Sequence, residues 1–162
     1  MNDQAIEAKK ATVEKAIDRL SPKLIELAER IHEHPETKFE EVKAAQWLSQ
    51  AAEEAGFVVE NPVGGLDTAF RATWVGSGKG PVVAFLAEYD ALPKIGHACG
   101  HNLIGTASLG AALGLAKGLG SLPGTMQLIG TPGEEGGGGK VILSEAGVFE
   151  GVDAAMMFHP AG

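Results

Sequence analysis

The sequence is poor in several features, and each shortage excludes a class of protein. A single cysteine in 162 residues rules out an intrachain disulfide, so we expect a reducing compartment, with the cytoplasm as the simplest location. Thirteen basic residues against 21 acidic ones leave a net charge of −8, which argues against nucleic acid or an anionic membrane as a partner. The first residues lack the basic start and apolar core of a signal peptide. The uncharged run 102–116 is too short and too rich in glycine to span a bilayer.

The remaining composition is that of a folded domain. Hydrophobic residues make up 44% of the chain and charged residues 21%, so the chain can bury a core and is not disordered by composition. The length suits one domain or a large part of one.

Helical and strand-like patterns alternate along the chain. The predicted helices cover 3–20, 22–33, 40–55, 102–119 and 137–146. The predicted strands cover 57–60, 68–75, 82–87, 125–130 and 154–158. Ser21 is the expected N-cap of the second helix, with Pro22 in its first position, and Gly56 is the expected stop of the third. The alternation predicts an α/β fold with a mixed central sheet and helices on both faces. The small residues of 102–119 predict close packing against that sheet.

Side chains that can bind a metal follow three of the predicted strands. Asp90 and the segment His97-Ala98-Cys99-Gly100-His101-Asn102 follow strand 82–87, Glu134 and Glu135 follow strand 125–130, and His159 follows strand 154–158. In open α/β sheets, sites collect outside the carboxyl ends of the strands. Thiolate, imidazole and carboxylate groups near three such ends therefore predict a metal site.

Each of these residues taken alone has an ordinary structural interpretation. A lone cysteine is often a small core residue, a lone histidine is more often a core or surface residue than a ligand, and paired glutamates usually lie in a solvated loop. Their coincidence at three strand ends reverses that judgement for Cys99, Glu134, Glu135 and His159. His32 and His34 keep the structural interpretation, because positive charge suits the end of a helix.

Other motifs fit less well. A phosphate-binding loop ending at Lys140 fails, because Glu134 stands where its first glycine is needed. A dinucleotide-binding loop starting at Gly76 fails, because Pro81 occupies the third glycine position. A nucleophilic Cys99 activated by a neighbouring histidine stays open as a further hypothesis, which sensitivity to a chelator would separate from a metal site.

Three segments in combination resemble the aminoacylase/carboxypeptidase-type metallohydrolases, a family of peptidases and amidohydrolases. The segments are Glu88-Tyr89-Asp90-Ala91-Leu92-Pro93 with the following Gly96–Asn102, Gly130–Lys140, and Phe158-His159-Pro160. The resemblance extends from about residue 20 to the end of the chain. It is greatest to the branch that contains p-aminobenzoyl-glutamate hydrolase and related dipeptidases, whose N-terminal segment is also similar to Ile31–Glu36.

The resemblance implies a phosphorylase/hydrolase-like zinc-peptidase catalytic domain with two divalent metal ions, zinc or manganese. It implies that Cys99, His101, Glu135 and His159 are metal ligands, that Glu134 is the general base, and that Asp90 orients or supports the site.

It also implies a function, the hydrolysis of the amide bond of small N-acyl or N-aroyl amino acids or dipeptides by a metal-activated water. By the same resemblance, residues 1–162 are the N-terminal part of the catalytic domain. A final histidine ligand and a smaller dimerisation domain that closes over the substrate would lie outside the chain, and the full-length form would be a homodimer. The alternative is a catalytically incomplete metal-binding fragment.

Overall fold

Five strands form one mixed sheet in a computed structural model, which describes residues 3–120 and 123–160. The helices are α1 (Asp3–Glu33), α2 (Val42–Glu54), α3 (His101–Leu119), α4 (Glu134–Gly137) and α5 (Gly139–Glu145). The strands are β1 (Val58–Glu60), β2 (Phe70–Val75), β3 (Val82–Ala87), β4 (Thr125–Gly130) and β5 (Ala154–Met156). The predicted α/β fold with a mixed sheet is confirmed.

The strand order places the three predicted site segments at one edge of the sheet. The order is β1-β2-β4-β3-β5, and β3 pairs in parallel with both β4 and β5, whereas β1 and β2 are antiparallel additions. The last residues of β3 and β4, Ala87 and Gly130, are register partners. The chain segments that leave these strands therefore emerge side by side.

Helices cover both faces of the sheet, as predicted. Phe85 and Ala87 of β3 belong to a buried cluster that includes residues of α1, α2 and α3. Ala84, which points to the other face because side chains alternate along a strand, belongs to a smaller cluster with Leu143 of α5.

The prediction of two N-terminal helices divided at Ser21 is wrong. Helix α1 runs without interruption through Pro22, and the hydroxyl of Ser21 donates to the carbonyl of Ile17 instead of capping a new helix. Pro22 removes one intrahelical hydrogen bond. Leu20 and Ile31, on either side of Pro22, are buried in the same core cluster, so tertiary packing holds the two halves in one helix.

The glycines of α3 pack mainly against a helix, and not against the sheet as the sequence suggested. A methyl group added at Gly110, Gly114 or Gly118 would meet residues of α1. Gly105 differs, because a methyl group added there would lie 2.8 Å from the carbonyl oxygen of Glu88, which follows β3. The spacing of four residues puts Gly110, Gly114 and Gly118 on one face of α3, and their lack of side chains lets α1 and α3 approach closely.

The remaining boundaries differ by a few residues. Gly56, with a φ of 95°, follows the end of α2 as predicted. The predicted helix 137–146 is observed as the shorter α5, which begins after Gly138 because that residue has a positive φ, and a separate single turn, α4, precedes it. Strands β1, β2 and β5 are shorter than predicted. None of the helices in the described ranges combines the length and apolar character needed to cross a membrane.

Candidate metal centre

The predicted ligands come together at the carboxyl edge of β3, β4 and β5. Ligand atoms of Cys99, His101 and Glu135 lie within 4.8 Å of one another, and so do ligand atoms of Glu88, His101 and His159. The two groups share His101. The structure therefore brings together all four residues predicted as ligands and adds Glu88.

His101 is the buried centre of the cluster. It begins α3 after Gly100, whose φ of 76° turns the chain into the helix, and only 1% of the residue is exposed. Its Nδ1 donates to Asp90 Oδ1 at 2.8 Å, which leaves Nε2 as the nitrogen with a free lone pair. Burial lowers the pKa of His101, but the hydrogen bond and charge of Asp90, with the charges of Glu88 and Glu135, raise the pKa overall.

Asp90 connects two parts of the centre. Its Oδ1 accepts from His101, and its Oδ2 accepts from the backbone N–H of Glu135 at 2.9 Å. Burial raises the pKa of Asp90, and these hydrogen bonds outweigh burial, so the pKa is lowered. An ionised carboxylate thus orients both the imidazole and the start of the loop after β4, in keeping with the supporting position predicted for Asp90.

Cys99 faces Glu135 as a protonated thiol. Hydrogen bonding to Glu135, followed by burial, raises the pKa of Cys99 to about 11. Such a thiol is a poor nucleophile at neutral pH, which argues against the cysteine-nucleophile hypothesis. A metal ion would bind the thiolate and release the proton.

Glu134 and Glu135 are adjacent in sequence but have different partners. Glu135 Oε1 lies 3.7 Å from His101 Nε2, whereas Glu134 Oε2 lies 3.0 Å from Lys140 Nζ. The backbone separates them because Glu135 has a ψ of 97° and Gly136 a φ of 71°, neither of which continues a helix. Glu134 therefore borders the cluster without being one of its grouped ligand residues in the described chain.

His159 completes the cluster from the third strand. It follows β5, and its Nε2 lies 3.8 Å from Glu88 Oε2. Its ring is 5.7 Å from that of His101, and its Nδ1 donates to the Pro160 carbonyl at 2.8 Å. About half of the side chain is exposed, so this ligand lies at the open side of the centre.

Glu88 is the residue that sequence reasoning did not single out. It directly follows β3, and 2% of it is exposed. Its Oε1 pairs with Lys140 Nζ, and its Oε2 is buried without a hydrogen-bond partner. The alternation of side chains along an extended segment was the signal that could have identified Glu88. Tyr89 lies in the core cluster, so its two neighbours, Glu88 and Asp90, point to the opposite side.

These residues fit a divalent metal ion. Two buried atoms, Glu88 Oε2 and His101 Nε2, lack hydrogen-bond partners, which is unfavourable unless another species binds them. Thiolate, imidazole and carboxylate are the ligand types of zinc sites. Hydrogen-bonded support of an imidazole by a carboxylate, as Asp90 gives His101, is also usual at metal centres.

A buried carboxylate anchors the loop that carries Glu134 and Glu135. Glu41, which is 0% exposed, accepts hydrogen bonds from the backbone N–H groups of Gly133 at 2.8 Å and Phe39 at 2.9 Å and from the Thr68 hydroxyl at 2.9 Å. Burial raises the pKa of Glu41 despite these hydrogen bonds. The glycines of this loop also permit close approach, since a side chain at Gly139 would collide with the Pro132 carbonyl.

The other histidines lie outside the cluster. His34 Nδ1 donates to the Arg30 carbonyl at 2.9 Å near the end of α1, a position that fits its structural interpretation. The ring of His97 is 6.2 Å from that of His32, and burial lowers the pKa of His97. The structure thus assembles His101 and His159 from the predicted segments and leaves His97 apart.

Comparison with known proteins gives consistent relatives. No family model matches the chain. It is 42% identical to a component of the p-aminobenzoyl-glutamate hydrolase of Escherichia coli over 91% of its own length and 34% of that protein. It is 44% identical to the Xaa-Arg dipeptidase of Mus musculus over 96% of its own length and 39% of that protein. The chain thus spans well under half the length of these curated relatives.

A solved structure extends the likeness to the fold. The YXEP protein of Bacillus subtilis, described as a dinuclear metal binding peptidase from the M20 family, superposes with a TM-score of 0.76. The two sequences are 32% identical, and the match covers 85% of this chain and 42% of that one. The relatives found by sequence and the relative found by structure are thus all hydrolases or peptidases by name.

Proposed function

We propose that this chain, which belongs to the M20 family of aminoacylase/carboxypeptidase-type metallohydrolases, supplies the metal centre of an amidohydrolase. The substrates we propose are small N-acyl or N-aroyl amino acids or dipeptides. The names of the relatives support this substrate class, since one is a p-aminobenzoyl-glutamate hydrolase and another is a dipeptidase.

One observation carries the proposal. Ligand atoms from the ends of three parallel strands converge on a buried imidazole nitrogen that has no hydrogen-bond partner. A structural histidine would be expected to satisfy both ring nitrogens, and His101 satisfies only Nδ1 within the described residues. The arrangement favours a catalytic centre over a structural role for these side chains.

The residues divide the proposed work among themselves. Cys99, His101, Glu135 and His159 would hold two divalent ions, zinc or manganese. When bound, such ions supply a more acidic water and polarise an amide carbonyl. Glu134 would accept the water proton and deliver it to the leaving amine, because it borders the cluster and is free of the ligand groups. Asp90 keeps the proton of His101 on Nδ1, so that Nε2 faces the ions.

Hydrolysis by the purified chain tests the proposal. The chain would be supplied with zinc or manganese and assayed on N-acetyl amino acids, p-aminobenzoyl-glutamate and dipeptides, with and without a chelator. Chelator-sensitive release of the amine is the expected result. Hydrolysis that persists after the metal is removed would contradict it.

Glu134→Gln tests the role of the base. The amide cannot accept a proton from water, so we expect turnover to fall by about 100-fold or more, while the metal content stays at the wild-type level. Glu145→Gln is the control, because Glu145 is an exposed residue of α5. Equal turnover in both variants would refute the assignment of Glu134.

A second candidate is a metal-binding fragment with no activity of its own. The share of the relatives that the chain spans, 34% and 39%, favours this candidate. In the family pattern, a final histidine ligand and a dimerisation domain would lie outside residues 1–162. Stoichiometric metal without hydrolysis is the expected result for the fragment, and hydrolysis by the chain would exclude it.

The proposal also covers the oligomeric state and the location of the full-length protein. The full-length protein would be a homodimer in the cytoplasm, where a reducing environment keeps Cys99 available as a ligand. Sedimentation of the full-length protein would test the dimer.

A further inference from the structure

Resting on the proposed function, which supplies the metal ions, we infer that Glu88 is a fifth metal ligand within residues 1–162 and that it binds the same ion as His159. Neither the sequence motifs nor the resemblance assigned it a role.

The burial of Glu88 is the first argument. The side chain is 3% exposed, and its two oxygens have different surroundings. Oε1 pairs with Lys140, whereas Oε2 is buried without a hydrogen-bond partner. A carboxylate needed only to neutralise Lys140 could have turned its second oxygen to a donor or to solvent. A buried acceptor without a partner is unfavourable, and a metal ion would satisfy it.

The donor separations are the second argument. Glu88 Oε2 lies 3.4 Å from His101 Nε2 and 3.8 Å from His159 Nε2. Oxygen and nitrogen ligands bound to one zinc ion at about 2.1 Å in a tetrahedron lie roughly 3.4 Å from each other. The 3.8 Å between Glu88 Oε2 and His159 Nε2 is near the separation of two ligands of one ion, and the 3.4 Å to His101 Nε2 places a ligand of the neighbouring ion beside them. Glu88 Oε2 is close to both rings but forms no hydrogen bond with either, so its position is that of a charge or of a metal ligand and not of a hydrogen-bond partner.

The number of donors is the third argument. His101 has one nitrogen free for a metal, because Nδ1 donates to Asp90, yet it belongs to both ligand groups. One ion can therefore take His101, and the other must be held without it. Catalytic zinc sites usually have three protein ligands per ion, so two ions need more ligands than the four predicted residues and the final histidine expected outside residues 1–162 would supply. Glu88 adds a fifth ligand within residues 1–162 and gives His159 a partner that does not depend on His101.

Lys140 positions Glu88. Its ammonium contacts Glu88 Oε1 and lies 3.0 Å from Glu134 Oε2, so one cation links the two carboxylates. With Oε1 held in this way, Oε2 is the oxygen directed at the imidazoles. Lys140 and Glu88 can therefore be separated by experiment, since one is a positioning residue and the other a ligand.

Metal titration of Glu88→Gln and Lys140→Met tests the inference. Each chain would be titrated with Zn²⁺ in competition with a chromophoric chelator, and cobalt spectra would report the ligand field. Loss of a supporting residue weakens metal binding by about 10- to 100-fold, so we expect Glu88→Gln to weaken one of the two bound ions by at least that factor. Lys140→Met keeps the ligand but leaves Glu88 Oε1 without its partner, so we expect it to weaken the same ion by less than Glu88→Gln does.

The outcomes separate the inference from the proposed function. Zinc binding by Glu88→Gln with wild-type stoichiometry and affinity would overturn the ligand role while leaving the proposed function intact. Failure of the wild-type chain to bind zinc would overturn both. If Glu88→Gln does not fold, as judged by circular dichroism, a crystal structure of the zinc-loaded wild type decides. Glu88 Oε2 at roughly 2.0–2.2 Å from an ion is expected, and an oxygen left outside the coordination sphere of both ions would contradict the inference.

Discussion

Replacing Asp90 by asparagine should weaken metal binding without removing a single ligand. The carboxylate of Asp90 accepts from His101 Nδ1 at 2.8 Å and from the Glu135 backbone N–H at 2.9 Å. Asparagine has one oxygen, and the backbone N–H of Glu135 can bond only to that oxygen. The amide NH₂ would then face His101 Nδ1, which must become an acceptor. The proton of the neutral imidazole moves to Nε2, the nitrogen that faces the metal site.

The expected loss of metal affinity follows from the cost of moving the imidazole proton back from Nε2 to Nδ1, which metal binding requires. Returning the proton to Nδ1 sets two N–H groups against each other or breaks the hydrogen bond to Glu135, and leaving one such group unpaired costs about 1 to 3 kcal/mol. This corresponds to roughly a 5- to 150-fold loss of affinity, close to the range of about 10- to 100-fold found for residues that support metal ligands. The chain should still fold, because the amide preserves the shape of the carboxylate.

Two assays check this prediction. A competition titration with Zn²⁺ measures the affinity, and long-range ¹H–¹⁵N correlation spectra of the metal-free chain report which nitrogen of His101 carries the proton. Asp67→Asn makes the same substitution at an exposed position and should leave both unchanged. Wild-type affinity in Asp90→Asn, or a proton that stays on Nδ1, would refute the reasoning.

Three further predictions concern other parts of the chain. Because the pKa of Cys99 is about 11, zinc affinity should rise with pH up to that value, by at most about tenfold per pH unit for the thiol proton. Cys99→Ala should bind zinc more weakly, and its affinity should change less with pH. Identical pH profiles of zinc affinity for the two chains would contradict a thiolate ligand. Burial raises the pKa of Glu41 above its ordinary value of 4.5, so its stabilising contribution is present below that pH and is lost as pH rises through the folded value. In urea unfolding, the free energy of unfolding of Glu41→Gln should therefore rise relative to that of the wild type as the pH is raised above 4.5, whereas a constant difference would count against the assignment. In Gly130→Ala the new methyl group would lie 2.6 Å from the Tyr89 hydroxyl and collide with Phe70, so overpacking should lower the free energy of unfolding by about 1 to 3 kcal/mol; an unchanged urea midpoint would show that the ring shifts freely.

The sequence predicts most of the fold because its local patterns agree with one another. The apolar run that forms β3 and the strand pattern of β4 each match the observed bounds. The ends of these strands carry the candidate ligands, and parallel pairing brings those ends together. The motif residues Cys99, His101 and Glu135 could thus be placed at one site before the register was known.

The missed features depend on tertiary contacts that no local pattern records. A proline preceded by serine normally signals a helix start, but the packing of Leu20 and Ile31 overrides that signal in α1. The role of Glu88 depends on the rotation of the chain after β3 and on the distant Lys140, 52 residues away in sequence. An acidic residue in a turn is usually solvated, and only the structure distinguishes this one by its burial.

The central claim is that the carboxyl edge of β3, β4 and β5 forms a metal centre. Elemental analysis of the purified chain, after incubation with zinc or manganese and removal of unbound ions, tests it most directly. We predict two divalent ions per chain, both removed by a chelator, and a lower content in Cys99→Ala. A wild-type chain that retains no divalent metal after this treatment would contradict the account.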